Sequence, residues 1–134
     1  MSVTKSEVLR LQASEDIVRV RQAVRAWMVE RGFSLVDQTK MVTAASELAR
    51  NAVDHAGGGI VRMEALVDGG RSGIRLVFED HGPGIPDMAL AMQDGFSTAG
   101  GLGLGLGGAK RLVNEFAIHS QPGEGTRIAV TRWR

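Results

Sequence analysis

A short segment in the middle of the chain reads Glu79-Asp80-His81-Gly82-Pro83-Gly84-Ile85-Pro86-Asp87. It is too rich in turn-forming residues to continue the alternating apolar run at 74–78, so a buried strand is predicted to end at Asp80. A carboxylate at a strand end can accept a hydrogen bond from an exocyclic amine such as that of adenine. Gly82 and Gly84 let the backbone approach a ligand closely, although an ordinary turn after a strand has the same pattern.

The residues upstream of this segment predict a hairpin preceded by a helix. The turn Asp68-Gly69-Gly70 separates the run at 74–78 from a first alternating run, which consists of Val61, Met63, Ala65 and Val67. The helix begins at the capping pair Ser34 and Asp37 and ends at Gly57-Gly58-Gly59. Its inward face is predicted from apolar residues at helical spacing, which are Val36, Met41, Ala44, Ala45, Leu48, Ala52 and Val53.

The beginning of the chain predicts one strand and one helix. The strand is indicated by the alternation of Leu9, Leu11 and Ala13 with polar residues. The helix ends where Gly32 can form a left-handed cap, and its apolar residues are Ile17, Val20, Val24, Trp27 and Met28.

The end of the chain predicts a third helix and two closing strands. A short helical piece is expected at Asp87–Met92, and the third helix carries on one face Leu106, Ala109, Leu112, Val113 and Phe116. The closing strands lie around Phe116–Ser120 and Thr126–Trp133. Together these elements predict one α+β domain over residues 1–134, a two-layer α/β sandwich with helices on one face of a mixed, mostly antiparallel sheet.

Composition excludes several classes of protein. Sixteen Lys and Arg residues against fifteen Asp and Glu residues give a formal net charge of +1, which lacks the electrostatic signature of a nucleic-acid-binding protein. The first twelve residues lack the apolar run of a signal peptide or membrane span, and the chain has no cysteine. We therefore expect a cytoplasmic protein with neither a nucleic acid nor a membrane as partner.

The second predicted helix carries a candidate catalytic pair. Its four-residue spacing places the Glu47 carboxylate and the Asn51 amide on one face, one turn apart. A carboxylate can take a proton from an attacking hydroxyl, and an amide oxygen is a hard ligand suited to Mg²⁺. Polar pairs at this spacing are also common on solvated helix faces, so the pair by itself leaves both interpretations open.

Six glycines lie in the nine residues 100–108, directly before the third predicted helix. This arrangement directs backbone N–H groups and the positive end of a helix toward anions, and phosphate is the natural ligand. The glycines at 103, 105 and 108 also match a dinucleotide-binding pattern, but residues 96–99 do not form a buried strand before them. A P-loop is excluded because no Gly-Lys-Ser/Thr follows.

Taken in order, four motifs resemble the nucleotide-binding boxes of the GHKL ATPase/kinase superfamily. They are Glu47-x-x-x-Asn51, Asp80-x-Gly82-x-Gly84, Gly101-x-Gly103-x-Gly105 and Gly125-Thr126. Residues 46–51, 79–87 and 94–98 are similar to the anti-sigma-factor-type serine kinases that act as stressosome switches, and the resemblance extends from about Asp16 to Arg134.

This resemblance implies a Bergerat-type fold that binds ATP and Mg²⁺. It implies that Glu47 is the general base, that Asn51 binds Mg²⁺ and that Asp80, supported by Thr126, recognises adenine. The glycines implied to line the nucleotide or hold its phosphates are Gly82, Gly84, Gly101, Gly103 and Gly105. Arg50 and Lys110 are charged neighbours to which the resemblance assigns no role.

The implied function is that of an ATP-dependent serine/threonine protein kinase that phosphorylates a STAS-domain partner and switches a bacterial stress or signalling pathway. A metal-dependent serine phosphatase is a further implied partner. An alternative is a nucleotide-dependent anti-sigma factor that sequesters a sigma factor. A third hypothesis is the catalytic domain of a sensor histidine kinase. It would need a phosphoacceptor histidine on a dimerising helix, whereas His55, His81 and His119 fall within the predicted ATP domain.

Overall fold

The strand that ends at Asp80 is the central strand of the sheet. The computed structural model describes residues 1–82, 92 and 105–134. Their elements, in chain order, are β1 (Ser2–Leu11), α1 (Ser14–Glu30), α2 (Leu35–Ala56), β2 (Gly59–Asp68), β3 (Arg71–Asp80), α3 (Gly105–Arg111), β4 (Glu115–Gln121) and β5 (Gly125–Trp133). The described strands form one sheet in the order β1-β2-β3-β5-β4, and each neighbouring pair is antiparallel.

One face of this sheet forms the core with the helices. The buried cluster combines α1 and α2 with alternate residues of the central strands, among them Val61, Met63, Ala65, Ile74, Leu76, Phe78, Ile128 and Val130. The predicted α+β architecture, with helices on one face of a mostly antiparallel sheet, is confirmed. The prediction was of a mixed sheet, but the described strands contain no parallel pair.

The hairpin turn and the helix caps that local sequence signals predicted are confirmed. The β2–β3 hairpin turns at Gly69 and Gly70, whose φ angles of 57° and 86° are those of a type I′ turn. The Ser34 hydroxyl accepts a hydrogen bond from the Asp37 N–H at 3.1 Å, which caps α2. Gly57 ends the same helix in the left-handed conformation, with φ of 71°.

Three predictions of inward-facing residues were wrong because the apolar pattern continues beyond the buried part of an element. Val36 lies in the first turn of α2 and is 62% exposed, since the buried stripe starts only at Gln38. Val67 lies at the turn end of β2 and is 40% exposed, whereas its neighbour Leu66 is buried on the other face. Ala13 is not in the first strand but caps α1.

The third helix is shorter than predicted. Its residues Leu106 and Ala109 are buried as expected, but the helix ends at Arg111, so Leu112 and Val113 follow it and Phe116 belongs to β4. The closing strands are confirmed. The helical piece predicted at Asp87–Met92 lies outside the described residues except for Met92, which packs against the core.

An ion pair fastens the start of α2 to the last strand. Arg132 donates to Asp37 Oδ1 from Nη2 at 2.7 Å and from Nε at 3.2 Å, and its Nη1 donates to the Leu112 carbonyl at 3.0 Å. Both charged side chains are largely shielded from solvent, at 14% and 24% exposure. The Arg132 hydrogen bond holds the pKa of the Asp37 carboxyl below its ordinary value, against the opposing effect of burial.

We expect Asp37→Asn to lower the free energy of unfolding by about 2 kcal/mol at neutral pH, because it removes a charge-assisted pair. Since the folded-state pKa is lowered, this contribution is complete above the ordinary Asp value of about 3.9 and is lost as the pH falls through the folded-state value. Urea unfolding of both proteins from about pH 7 to about pH 2.5 should therefore show a difference that shrinks at the acid end.

Glu30→Gln is the matched control, because the Glu30 carboxylate is 57% exposed and pairs only at the surface with Lys5 and Arg31. It should change stability by less than about 0.5 kcal/mol. A difference between Asp37→Asn and the unmodified protein that stays constant at low pH would contradict the assignment.

Candidate functional site

Four residues form one row across the sheet at the end where β3 stops. Asp80 pairs with Gly59 of β2 and with Thr126 of β5, and Thr126 pairs in turn with Ser120 of β4. Directly paired residues share a face, and Asp80 is on the same face as the core residue Phe78 two positions earlier. The row therefore lies on the helix side of the sheet.

The Asp80 carboxylate is held in place by two backbone groups. Its Oδ1 accepts a hydrogen bond from the Gly82 N–H at 3.0 Å and another from the Thr126 N–H at 3.2 Å. One bond comes from the turn that follows β3 and the other from the neighbouring strand. Because both end on Oδ1, the carboxylate has a defined orientation, and Oδ2 keeps its capacity to accept from a ligand.

Two hydroxyl groups continue this network along the row. Ser120 Oγ and Thr126 Oγ1 are 2.9 Å apart, and the Ser120 hydroxyl donates to the Gly125 carbonyl at 3.1 Å. Thr126 thus connects to Asp80 through its backbone and to Ser120 through its side chain. Sequence reasoning missed Ser120. The alternation of Phe116, Ile118 and Ser120 along β4 is the signal that places its side chain on the helix side.

Two glycines are required by close packing around Asp80. A Cβ at Gly82 would lie 2.6 Å from Cα and Cβ of Ala56, near the end of α2. A Cβ at Gly125 would overlap the Asp80 carbonyl oxygen, and Gly125 also has a φ of 86°. The end of β3 is therefore in contact with α2 on one side and with β5 on the other, which no larger residue would allow.

The predicted catalytic pair lies on the same helix that Gly82 contacts. Glu47 is 1% exposed and Asn51, one turn later, is half-buried. Burial excludes the solvated-face interpretation for Glu47, because a carboxylate is retained in the interior only where surrounding groups compensate its charge. Asn51 precedes Ala56 by five residues, about 7.5 Å along the helix axis, and Glu47 lies one turn further from the sheet end.

Small residues allow α3 to pack closely on α2. Gly105, Gly107, Gly108 and Ala109 are all buried, and the two helices are in contact. Gly105 is thus placed at the start of α3, and Gly82 and Thr126 lie beside Asp80. The remaining predicted glycines, Gly84, Gly101 and Gly103, lie outside the described residues.

The residues that the structure does describe fit a magnesium nucleotide better than a protein-only metal centre. No group of three or more His, Cys, Asp or Glu residues in residues 1–82, 92 and 105–134 could hold a metal ion. Mg²⁺ bound with phosphates needs only one or two protein oxygens, and the half-buried Asn51 amide offers an oxygen of the right kind.

The histidines and the charged neighbours of the motifs are mostly exposed. His55, His81, His119 and Lys110 are exposed, and Arg50 is half-buried. Among the described helices, none is both long enough and apolar enough to cross a membrane.

Comparison with known proteins identifies relatives over nearly the whole chain. The chain is 49% identical over 125 residues to the serine/threonine-protein kinase RsbT of Bacillus subtilis (strain 168), which covers 93% of this chain and 94% of RsbT. It is 28% identical over 134 residues to the anti-sigma F factor of Clostridium kluyveri, which covers 96% of this chain and 92% of that protein.

Solved structures have the same fold. The structure of the RsbU and RsbW domains of Rv1364c from Mycobacterium tuberculosis matches with a TM-score of 0.63 at 26% identity, covering 98% of this chain and 33% of that one. The mycobacterial sensor histidine kinase MprB matches with a TM-score of 0.53 at 23% identity, covering 96% of this chain and 97% of that one, and this likeness concerns the fold alone.

A family model covers most of the sheet and the site. Residues 36–133, from α2 to β5, match the model described as histidine kinase-, DNA gyrase B-, and HSP90-like ATPase. The matched span includes the Asp80 row, the pair on α2 and the glycine tract. The GHKL resemblance of the motifs is confirmed, and the chain belongs to the histidine kinase-, DNA gyrase B-, and HSP90-like ATPase family.

Proposed function

We propose that this protein is an ATP-dependent serine/threonine protein kinase that phosphorylates a STAS-domain partner and thereby switches a bacterial stress or signalling pathway. One observation carries the proposal, which is the placement of two carboxylates along α2. Asp80 is anchored by hydrogen bonds at the end of the sheet, beside the end of this helix. Glu47 is buried on the same helix, one turn from the amide of Asn51. The 49% identity to RsbT supports the choice of a protein hydroxyl as phosphate acceptor.

In this proposal the Asp80 end of the site binds the base. Asp80 Oδ2 accepts from the exocyclic amine of adenine, while Gly82 and Gly125 hold the end of β3, which carries Asp80, close to α2 and β5. Thr126 supports this contact through its N–H bond to Oδ1. The glycines that we assign to the rest of the nucleotide and its phosphates are Gly84, Gly101, Gly103 and Gly105.

The α2 end of the site carries the reaction. Bound Mg²⁺ would supply charge neutralisation of the phosphates, with the Asn51 amide oxygen as its protein ligand. Glu47 orients the acceptor hydroxyl and takes its proton as the oxygen forms a bond to the γ-phosphorus of ATP. The bond from that phosphorus to the bridging β-γ oxygen breaks, and ADP leaves. Positioning of the two reactants provides most of the rate.

The second candidate function is a nucleotide-dependent anti-sigma factor, and the 28% identity to an anti-sigma F factor supports it. The two functions differ in the partner rather than in the nucleotide site. A kinase needs a STAS-domain protein as its substrate. A metal-dependent serine phosphatase is a further candidate partner, which the kinase would bind when it is not bound to the STAS-domain protein. An anti-sigma factor holds a sigma factor in a stable complex.

Transfer of labelled phosphate from ATP to STAS-domain proteins encoded near this protein tests the kinase function directly. We expect a phosphoserine or phosphothreonine on one of them, formed only when Mg²⁺ is present. Recovery of a sigma factor in a stable complex from the native host, with no phosphate transferred to any STAS-domain protein, would favour sequestration instead.

We expect Glu47→Gln to bind ATP with an affinity close to that of the unmodified protein, yet to transfer phosphate about 10²- to 10⁴-fold more slowly, because the general base is lost. Titration calorimetry gives the affinity, and labelled ATP at saturation gives the transfer rate. Asp54→Asn is the control, since Asp54 is an exposed carboxylate on the same helix. A Glu47→Gln protein that phosphorylates its partner at the native rate would rule out the general-base role.

Asp80→Asn should instead raise the Kd for ATP about 10- to 100-fold, because a charged acceptor for the base is replaced by a neutral one. The matched control is Glu79→Gln, because Glu79 is one residue earlier on β3 and faces the other side of the sheet. Its Oε1 lies 3.7 Å from Arg62 Nη2 and 3.4 Å from Arg127 Nε. Calorimetry on both variants is the measurement. Equal affinities for Asp80→Asn and Glu79→Gln would refute the assignment of Asp80 to the base.

A further inference from the structure

We infer that Ser120 is a positioning residue that makes Thr126 a hydrogen-bond acceptor toward the nucleotide base, so that the site selects a base with an exocyclic amine over one with a carbonyl at the same position. This inference rests on the proposed nucleotide-binding function. It assigns a role to β4, which carries none of the sequence motifs.

Proton counting along the row carries the inference. A hydroxyl group has one proton, and a carbonyl oxygen can only accept. The Ser120 hydroxyl donates to the Gly125 carbonyl at 3.1 Å, which uses its proton. The distance of 2.9 Å between Ser120 Oγ and Thr126 Oγ1 allows either oxygen to donate, and because of the Ser120 bond to Gly125 we assign the proton of this contact to Thr126. The Thr126 proton points toward β4, and the remaining lone pair of Oγ1 is available on the other side.

Thr126 and its neighbour Asp80 both offer a hydrogen-bond acceptor. Asp80 is paired with Thr126 across β3 and β5 and offers a carboxylate oxygen, which is also an acceptor. Two acceptors side by side fit an exocyclic amine, which has two protons to donate. They disfavour a carbonyl oxygen at the same position, because acceptor would face acceptor and neither half-buried side chain would gain a donor from the base.

The position of Ser120 explains why it acts through Thr126. Ser120 lies on the edge strand β4 and Thr126 lies between it and Asp80 in the row. Removal of the Ser120 hydroxyl would free the Thr126 hydroxyl to rotate, so that it could donate to a carbonyl as readily as it accepts from an amine. The expected consequence is a loss of discrimination between bases, which a purely structural role would not produce.

The test compares ATP with inosine triphosphate (ITP), which has a carbonyl oxygen where ATP has the exocyclic amine. Calorimetry with Mg²⁺ present gives the ratio of the two Kd values for each variant. Ser120→Ala should lower the preference for ATP over ITP about tenfold, the value of one hydrogen bond. Ser120→Thr keeps the hydroxyl and should preserve the preference. His119→Ala, an exposed neighbour on the opposite face of β4, should also preserve it.

A double-variant cycle shows whether Ser120 acts through Thr126. Thr126→Val should lower the preference, and adding Ser120→Ala to it should have no further effect. If Ser120→Ala does not fold, Ser120→Cys replaces it with the same expectation, because a thiol is a weak hydrogen-bonding group. An unchanged ATP preference in the folded Ser120 variant, or additive effects in the cycle, would overturn the inference. Failure of the unmodified protein to bind ATP would overturn the proposed function instead.

Discussion

The close approach of the end of β3 to α2 and to β5 is the constraint on which the site depends. Gly82 allows the first contact, against Ala56, and Gly125 allows the second, against the Asp80 carbonyl. At this distance the N–H groups of Gly82 and Thr126 both reach Asp80 Oδ1. The sheet end is therefore fixed relative to the helix. A side chain at either glycine would separate these elements and release the carboxylate.

The two carboxylates to which we assign roles, Asp80 and Glu47, are held by different means. Asp80 is oriented by backbone hydrogen bonds at a strand end, which suits recognition of a ligand group whose position must be defined. Glu47 is buried on α2, where low access to water would strengthen its interaction with the acceptor hydroxyl that we propose. The ion pair of Asp37 with Arg132 holds the start of that helix against β5, and the Gly82 contact with Ala56 joins its other end to the end of β3.

Local sequence signals predicted the fold because each acts over a few residues. The turn at Gly69 and Gly70 and the left-handed glycine after α2 follow from backbone sterics alone. The same reasoning failed at Val36 and Val67, because apolar periodicity does not state how far the opposing layer extends. Burial at the ends of α2 and β2 is decided by their neighbours in space.

The sequence by itself indicated the family and most of the elements, and it identified Glu47, Asn51 and Asp80 as candidate site residues, because motif order and local periodicity are properties of the chain. Tertiary structure alone decided that Glu47 is buried, that Gly82 and Gly125 are required by contacts with Ala56 and Asp80, and that Ser120 completes the row. Strand register brings Ser120, Thr126 and Asp80 together from three strands. No local pattern encodes that register, since it depends on how distant segments pair.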